Sequence, residues 1–92
     1  MDEILDFISR RWKKDANWLN GNCYWFAYIL MSRFPFLNIY YLPIEGHFIC
    51  GDGVKFYDWT GIVQLNEKPY LFSELKIQEP NWYNRIWRDC IL

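Results

Sequence analysis

Residues 47–59, HFICGDGVKFYDW, restrict the fold more than any other stretch of this chain. Gly51, Asp52 and Gly53 separate two short runs rich in aromatic and β-branched residues. That is the signature of a β-hairpin, because Asp-Gly readily takes the positive φ angles of a tight turn. With Asp52-Gly53 as the loop, Gly51 pairs with Val54. The ladder then sets Cys50 against Lys55, Ile49 against Phe56, Phe48 against Tyr57 and His47 against Asp58. The one histidine of the chain thus stands opposite a carboxylate, at the roughly 4.5–5.5 Å Cβ spacing of cross-strand partners. Val54, Ile49 and Phe56 share that face, which is expected to point into the core.

Helical periodicity flanks the hairpin. In residues 2–14, Ile4, Leu5, Ile8 and Trp12 recur at helical spacing, with acids near the start and bases near the end as the macrodipole prefers. Residues 15–22, DANWLNGN, read as a loop. Asn22 is a candidate N-cap for a second helix from Cys23 to about residue 34, where Cys23, Phe26, Ala27, Leu30, Met31 and Phe34 form one apolar stripe. Pro35 ends it. The period then changes from helix to strand: residues 39–44 read as a strand, with Pro43 favouring an edge or a bulge, before hairpin strands at 46–51 and 54–60. Residues 62–65 extend that sheet or add a short strand. Residues 73–76 suit a short helix, and Pro80 opens a last helix whose stripe is Trp82, Tyr83, Ile86, Trp87 and Cys90. The expected fold is α+β, one domain spanning residues 1–92: an N-terminal helix and the Cys23 helix packed on a small antiparallel sheet, closed by a C-terminal helix.

Size and charge narrow the function classes. A chain of 92 residues buries only about 60–65% of its unfolded surface. Aromatic residues make up 22% of it, including six Trp and seven Tyr, and some of these rings are expected to stay exposed and line a partner surface. Ten basic and eleven acidic residues are mixed along the chain, giving a formal charge of −1. No basic tract of the kind that neutralises phosphates is present, so nucleic acid is not an expected partner. No apolar run is long enough to span a bilayer. The acidic start, MDEILDF, lacks the positive opening of a signal peptide, so a cytoplasmic location is expected. Three cysteines without a CxxC pair suggest reduced thiols, and one histidine leaves no structural zinc set. No metal or other cofactor is expected.

Cys23, His47 and Asp58 carry the candidate chemistry. A thiolate in the first helical turn is favoured by the helix dipole and by unpaired backbone N–H groups. A carboxylate beside His47 would hold one tautomer and stabilise the imidazolium, as a general base for a thiol requires. Acyl transfer also needs oxyanion donors: the Cys23 N–H is one, and Asn17 or Asn20 could supply a side-chain amide. The plainer alternatives are a small buried cysteine on an apolar stripe, a locally satisfied histidine, and asparagines that form turns. Cys50 and Cys90 read as structural.

NGNCYWFA, a cysteine opening a helix after an Asn/Gly-rich loop, resembles the nucleophile helix of the papain-like cysteine peptidase superfamily. GHFIC and YDWTG are similar to its histidine and acid strands, and the compact NlpC/P60-like and transglutaminase-like branches resemble the chain most. The resemblance covers about forty residues. It implies Cys23 as nucleophile, His47 as general base and Asp58 as orienting acid. Asn17 would stand where papain-type enzymes place the oxyanion glutamine, with a shorter side chain.

Two functions from different classes follow. One is a small thiol hydrolase or acyltransferase acting on an amide, isopeptide or thioester bond of a peptide or protein. The other is a non-catalytic interaction or inhibitor protein, of phage or mobile-element type, that uses the same frame and anchors a partner through exposed Trp and Tyr.

Overall fold

The computed structural model describes residues 3–12 and 22–88. Among them, four helices accompany a five-stranded antiparallel sheet. Helix α1 (Glu3–Arg11) has Glu3 and Asp6 in its first turn and Arg10 and Arg11 in its last, the arrangement the dipole favours. Helix α2 (Asn22–Arg33) buries Cys23, Tyr24, Phe26, Ala27 and Leu30, and Phe34 is buried just beyond its end; of the stripe expected from spacing, Met31 is only partly buried. Ile8 and Trp12 of the α1 segment join the same core, where the Trp12 and Phe26 rings meet edge to face at 4.7 Å.

The strands are β1 (Asn38–Leu42), β2 (His47–Gly51), β3 (Phe56–Asp58), β4 (Gly61–Ile62) and β5 (Tyr70–Leu71), in the order β4-β3-β2-β1-β5. Strand β1 is interior rather than an edge, because β5 pairs with Tyr40 and Tyr41. Pro43 avoids the ladder by lying just beyond Leu42, in the turn to β2. Helices α3 (Phe72–Gln78) and α4 (Pro80–Ile86) close the chain, with Pro80 at the start of α4 where its missing N–H costs nothing. Phe72 of α3 meets Phe48 of β2 at 5.0 Å, and Trp82 of α4 meets Tyr41 of β1 at 6.1 Å.

The hairpin register differs from the expected one by two residues. Gly51 pairs with Phe56 and Cys50 with Tyr57, so residues 52–55 form the loop. Two local causes act together. The Asp52 carboxylate accepts the N–H groups of Val54 (2.9 Å) and Lys55 (2.7 Å), and Gly53 takes φ +96°, closing a longer turn. Gly51 lies so close to the next strand that a Cβ there would fall 2.5 Å from the Phe56 ring and 2.7 Å from the Lys55 carbonyl oxygen. A slip of one residue would have exchanged the faces of the sheet; a slip of two preserves them. Asp58 therefore keeps to the face of His47, as a diagonal neighbour instead of a direct one. Val54 is in the loop and exposed, not on a core face.

All five residues of β2 are buried. Ile39, Tyr41, Phe48, Cys50 and Tyr57 face the helices and belong to the main core. Leu42, His47, Ile49 and Asp58 are on the other face. Residues 63–66 line a cleft on that face with Leu42, His47, Ile49 and Asp58, and residues 63–69 run as a strap between β4 and β5 at opposite edges of the sheet. The crossing strap is pinned at several points. Val63 N–H donates to the Phe56 carbonyl at 2.9 Å, and the Glu67 carboxylate accepts the N–H groups of Ile44 (2.8 Å) and Glu45 (3.0 Å).

Phe26 and Leu30 are wholly inaccessible to solvent at the centre of α2. Phe26→Ala and Leu30→Ala should each destabilise the protein by about 2–5 kcal/mol, a large part of the roughly 5–15 kcal/mol typical of a domain. Urea unfolding measures this. A midpoint equal to the parent's in either variant would mean that the stripe does not hold the core.

Candidate functional site

His47 is the first residue of β2 and only 5% exposed, roofed by the strap. Its Nε2 stands 4.0 Å from Oδ2 of Asp58, at the end of β3. The gap exceeds hydrogen-bond length, so the two groups attract without a direct bond. The other carboxylate oxygen of Asp58 is occupied: Oδ1 accepts the backbone N–H of Thr60 at 2.7 Å and the Thr60 hydroxyl. Asp58 thus closes the turn into β4 with one oxygen and turns the second toward His47.

The imidazole is incompletely satisfied. Its Nδ1 is buried without a hydrogen-bond partner among the described residues, and so is Nε1 of Trp59, whose ring stands edge to face with His47 at 5.8 Å. Burial lowers the His47 pKa below its ordinary 6.5, and this outweighs Asp58 and then Glu45, whose negative charges raise it. At neutral pH the ring is therefore uncharged. A cleft of about 250 Å³ opens beside it, lined also by Asp58, Glu45, Gln64 and Asn66. Sequence reading did not assign the last three residues to a site: Glu45 lies in the β1–β2 turn, and Gln64 and Asn66 lie in a short alternating stretch that reads as a strand. The one signal available was a short extended stretch bounded by Gly61 and Pro69.

Cys23 does not line this cleft. It is 1% exposed and belongs to the helix-side core with Phe48 and Cys50. Tyr24, the next residue, packs on Phe48 with ring centroids 5.3 Å apart, which fixes the start of α2 against the opposite face of β2 from His47. The structure brings together His47 and Asp58 and leaves Cys23 across the sheet from them. Neither Cys23 nor Cys50 is in a disulfide. Burial pushes the Cys50 thiol up to about 12, which makes it an inert core residue. Asn17, Asn20 and Cys90, and the side chain of Asn22, lie outside the described residues.

A second feature is on the helix side. Trp25 and Tyr28 of α2 are each 46% exposed, with ring centroids 6.0 Å apart. Both also contact the buried Tyr24 ring, at 5.1 and 6.3 Å, and Trp87 braces Tyr24 from the other end of the chain at 5.2 Å. Among the described residues, no group of three or more His, Cys, Asp and Glu side chains converges as a metal site, and no helix is long and apolar enough to cross a membrane.

A family model described as phage YunG-like protein matches residues 3–87, almost the full length of the chain. The chain belongs to the phage YunG-like family. This corrects the resemblance drawn from NGNCYWFA, GHFIC and YDWTG: the family that matches is not a papain-like peptidase family. The cysteine lies within a helix-side core, and the histidine and aspartate are on the strap side. The association with phages, expected from the sequence, stands. No curated protein and no solved structure matches the chain.

A histidine held neutral by burial gives stability a definite pH dependence. Its pKa is lower folded than unfolded, so the stabilisation is complete above about 6.5 and declines as pH falls below that value. Unfolding free energy should drop between about pH 7 and pH 5.5, and His47→Gln should flatten that part of the profile. Parallel profiles for the two proteins would show that His47 does not enter the fold uncharged.

Proposed function

We propose that this phage YunG-like protein is a non-catalytic binding protein that docks a protein partner through the aromatic face of α2. The observation that carries this reading is the Trp25–Tyr28 pair, exposed by about half and braced from beneath by Tyr24 and Trp87. Rings held in place before binding lose little conformational freedom on docking, and Trp and Tyr dominate the energetics of protein interfaces. Trp25 and Tyr28 are three residues apart on one helix, so a partner meets them as one surface. The separation of Cys23 from His47 favours this reading over a thiol hydrolase, in which the thiol and the imidazole must meet at one substrate.

Two measurements test it. Iodoacetamide should leave Cys23 and Cys50 unmodified in the folded protein at pH 7 and alkylate both after unfolding. Fast modification of Cys23 below pH 8 would restore the thiol-enzyme reading. In cells carrying the phage, a protein partner that co-purifies stoichiometrically should be retained by Cys23→Ala and lost by the Trp25→Ala/Tyr28→Ala double variant. Because the two rings are half exposed, the double variant should fold normally, which circular dichroism checks. A partner kept by the double variant, or an acyl-transfer activity abolished by Cys23→Ala, would overturn the proposal.

A further inference from the structure

A cavity of about 750 Å³ opens where α1 meets β4 and the turn before it. It is far larger than the His47 cleft, shares no lining residue with it, and includes neither Trp25 nor Tyr28. Sites for small ligands occupy roughly 300–1,000 Å³ and combine apolar and aromatic walls with a few placed polar groups. This cavity has that make-up. Ile8 and Trp12, which also belong to the core, and the partly exposed Leu5, Trp59 and Ile62 supply apolar wall. Its charged groups are both cations: Arg10 and Arg11 line it, and no Asp or Glu does so among the described residues. The two are not equivalent. Arg10 is already paired with Asp6, one turn back on α1, at 3.0 Å. Arg11 has no ion pair among the described residues, and its guanidinium stands 5.9 Å from the centre of the Phe7 ring. One uncompensated positive charge beside an apolar cavity is complementary to an anion of single charge with an apolar body.

We propose that the α1–β4 cavity binds a small carboxylic acid, with its carboxylate on Arg11 and its apolar body against Leu5, Trp59 and Ile62. A guanidinium recognises a carboxylate through two parallel N–H···O bonds. The C-terminal end of a helix offers carbonyl oxygens rather than N–H groups, so the backbone of α1 holds no anion there and the preference for one rests on Arg11. A nucleotide or other polyphosphate fits less well, because one unpaired cation cannot balance several negative charges. An amine is disfavoured by both guanidinium groups. Burial of the apolar body supplies most of the affinity, since an exposed ion pair is worth little, and the charge selects the head group. The cavity is separate from the aromatic face of α2, so the two sites can be tested apart.

Octanoate, octanol, octylammonium and acetate separate the contributions of head and body. Titration of the protein, followed by calorimetry and by its assigned amide resonances in NMR, should show saturable binding of one octanoate. The largest shifts should fall at Ser9, Gly61 and Ile62, which line the cavity. Octanol should bind more weakly, octylammonium more weakly still, and acetate not measurably. Arg11→Gln should lower octanoate affinity by about two- to fivefold, as expected for loss of a solvent-exposed ion pair, and leave octanol binding unchanged. Arg11→Glu should reverse the preference, so that octylammonium binds more tightly than octanoate. Arg11 is exposed, so both variants should fold, which circular dichroism checks. Arg11→Gln places no negative charge at the end of α1, and it carries the test if Arg11→Glu does not fold. The proposal is overturned if octanoate does not bind saturably, or if octanol, octylammonium or acetate binds as tightly. It is also overturned if the shifts centre on another part of the molecule, or if octanoate affinity is undiminished in a folded Arg11 variant.

Discussion

Strand β2 is buried along its whole length, and that constraint governs the rest of the structure. A strand points successive side chains to opposite faces, so complete burial demands a cover on each side of the sheet. Helices supply one. Among the described residues no helix lies on the other, and an extended strap does the work in its place, anchored by a backbone bond at Phe56 and by the Glu67 carboxylate at the β1–β2 turn. The protein thus has two interiors of different character. One is a dense aromatic core centred on Phe26, Leu30 and Phe48; the other is a thin layer holding Ile49, His47 and a polar cleft.

That division explains the chemistry of the candidate residues. Cys23 shares a core with Phe48 and Cys50 of β2, and His47 begins that strand, yet the alternation of β2 separates their environments. A shared face would have required His47 to follow the parity of Phe48 and Cys50. On the strap side the histidine loses water and gains only a carboxylate too distant for a direct bond. Desolvation therefore prevails over attraction, and the ring stays neutral.

Much of the fold was legible in the sequence, because it rests on local rules. The α2 stripe, the helix charges of α1, Pro80 at a helix start and the shift in period after Pro35 each have a local cause, and together they define the α+β class. The presence of His47 and Asp58 on one face was legible too, and it survived an error of two in the register only because a strand repeats every two residues. The error arose from contacts that a turn motif does not encode: the Phe56 ring against Gly51, and the Asp52 carboxylate closing a longer loop. The face on which α2 lies, and the path of residues 63–69, depend on how distant segments share a small sheet. Strand β5 was missed for the same reason, since Tyr70 and Leu71 pair only because β1 offers them an edge.

The strap also joins the two edges of the sheet. Strands β4 and β5 are each two residues long and sit on opposite sides of the three-stranded centre, linked by residues 63–69. Such short ladders hold little by themselves, so each edge depends on the other through the segment stretched between them. Assembly must follow an order: the β1–β2–β3 meander forms from neighbours in the chain, and the strap can close only over a finished centre. In the reverse direction, release of either edge would free the strap and both margins as one cooperative unit while the helix-side core stays intact. The His47 cleft is then the last part of the molecule to form and the first to be lost, so its accessibility is governed by the hold on the sheet's edges.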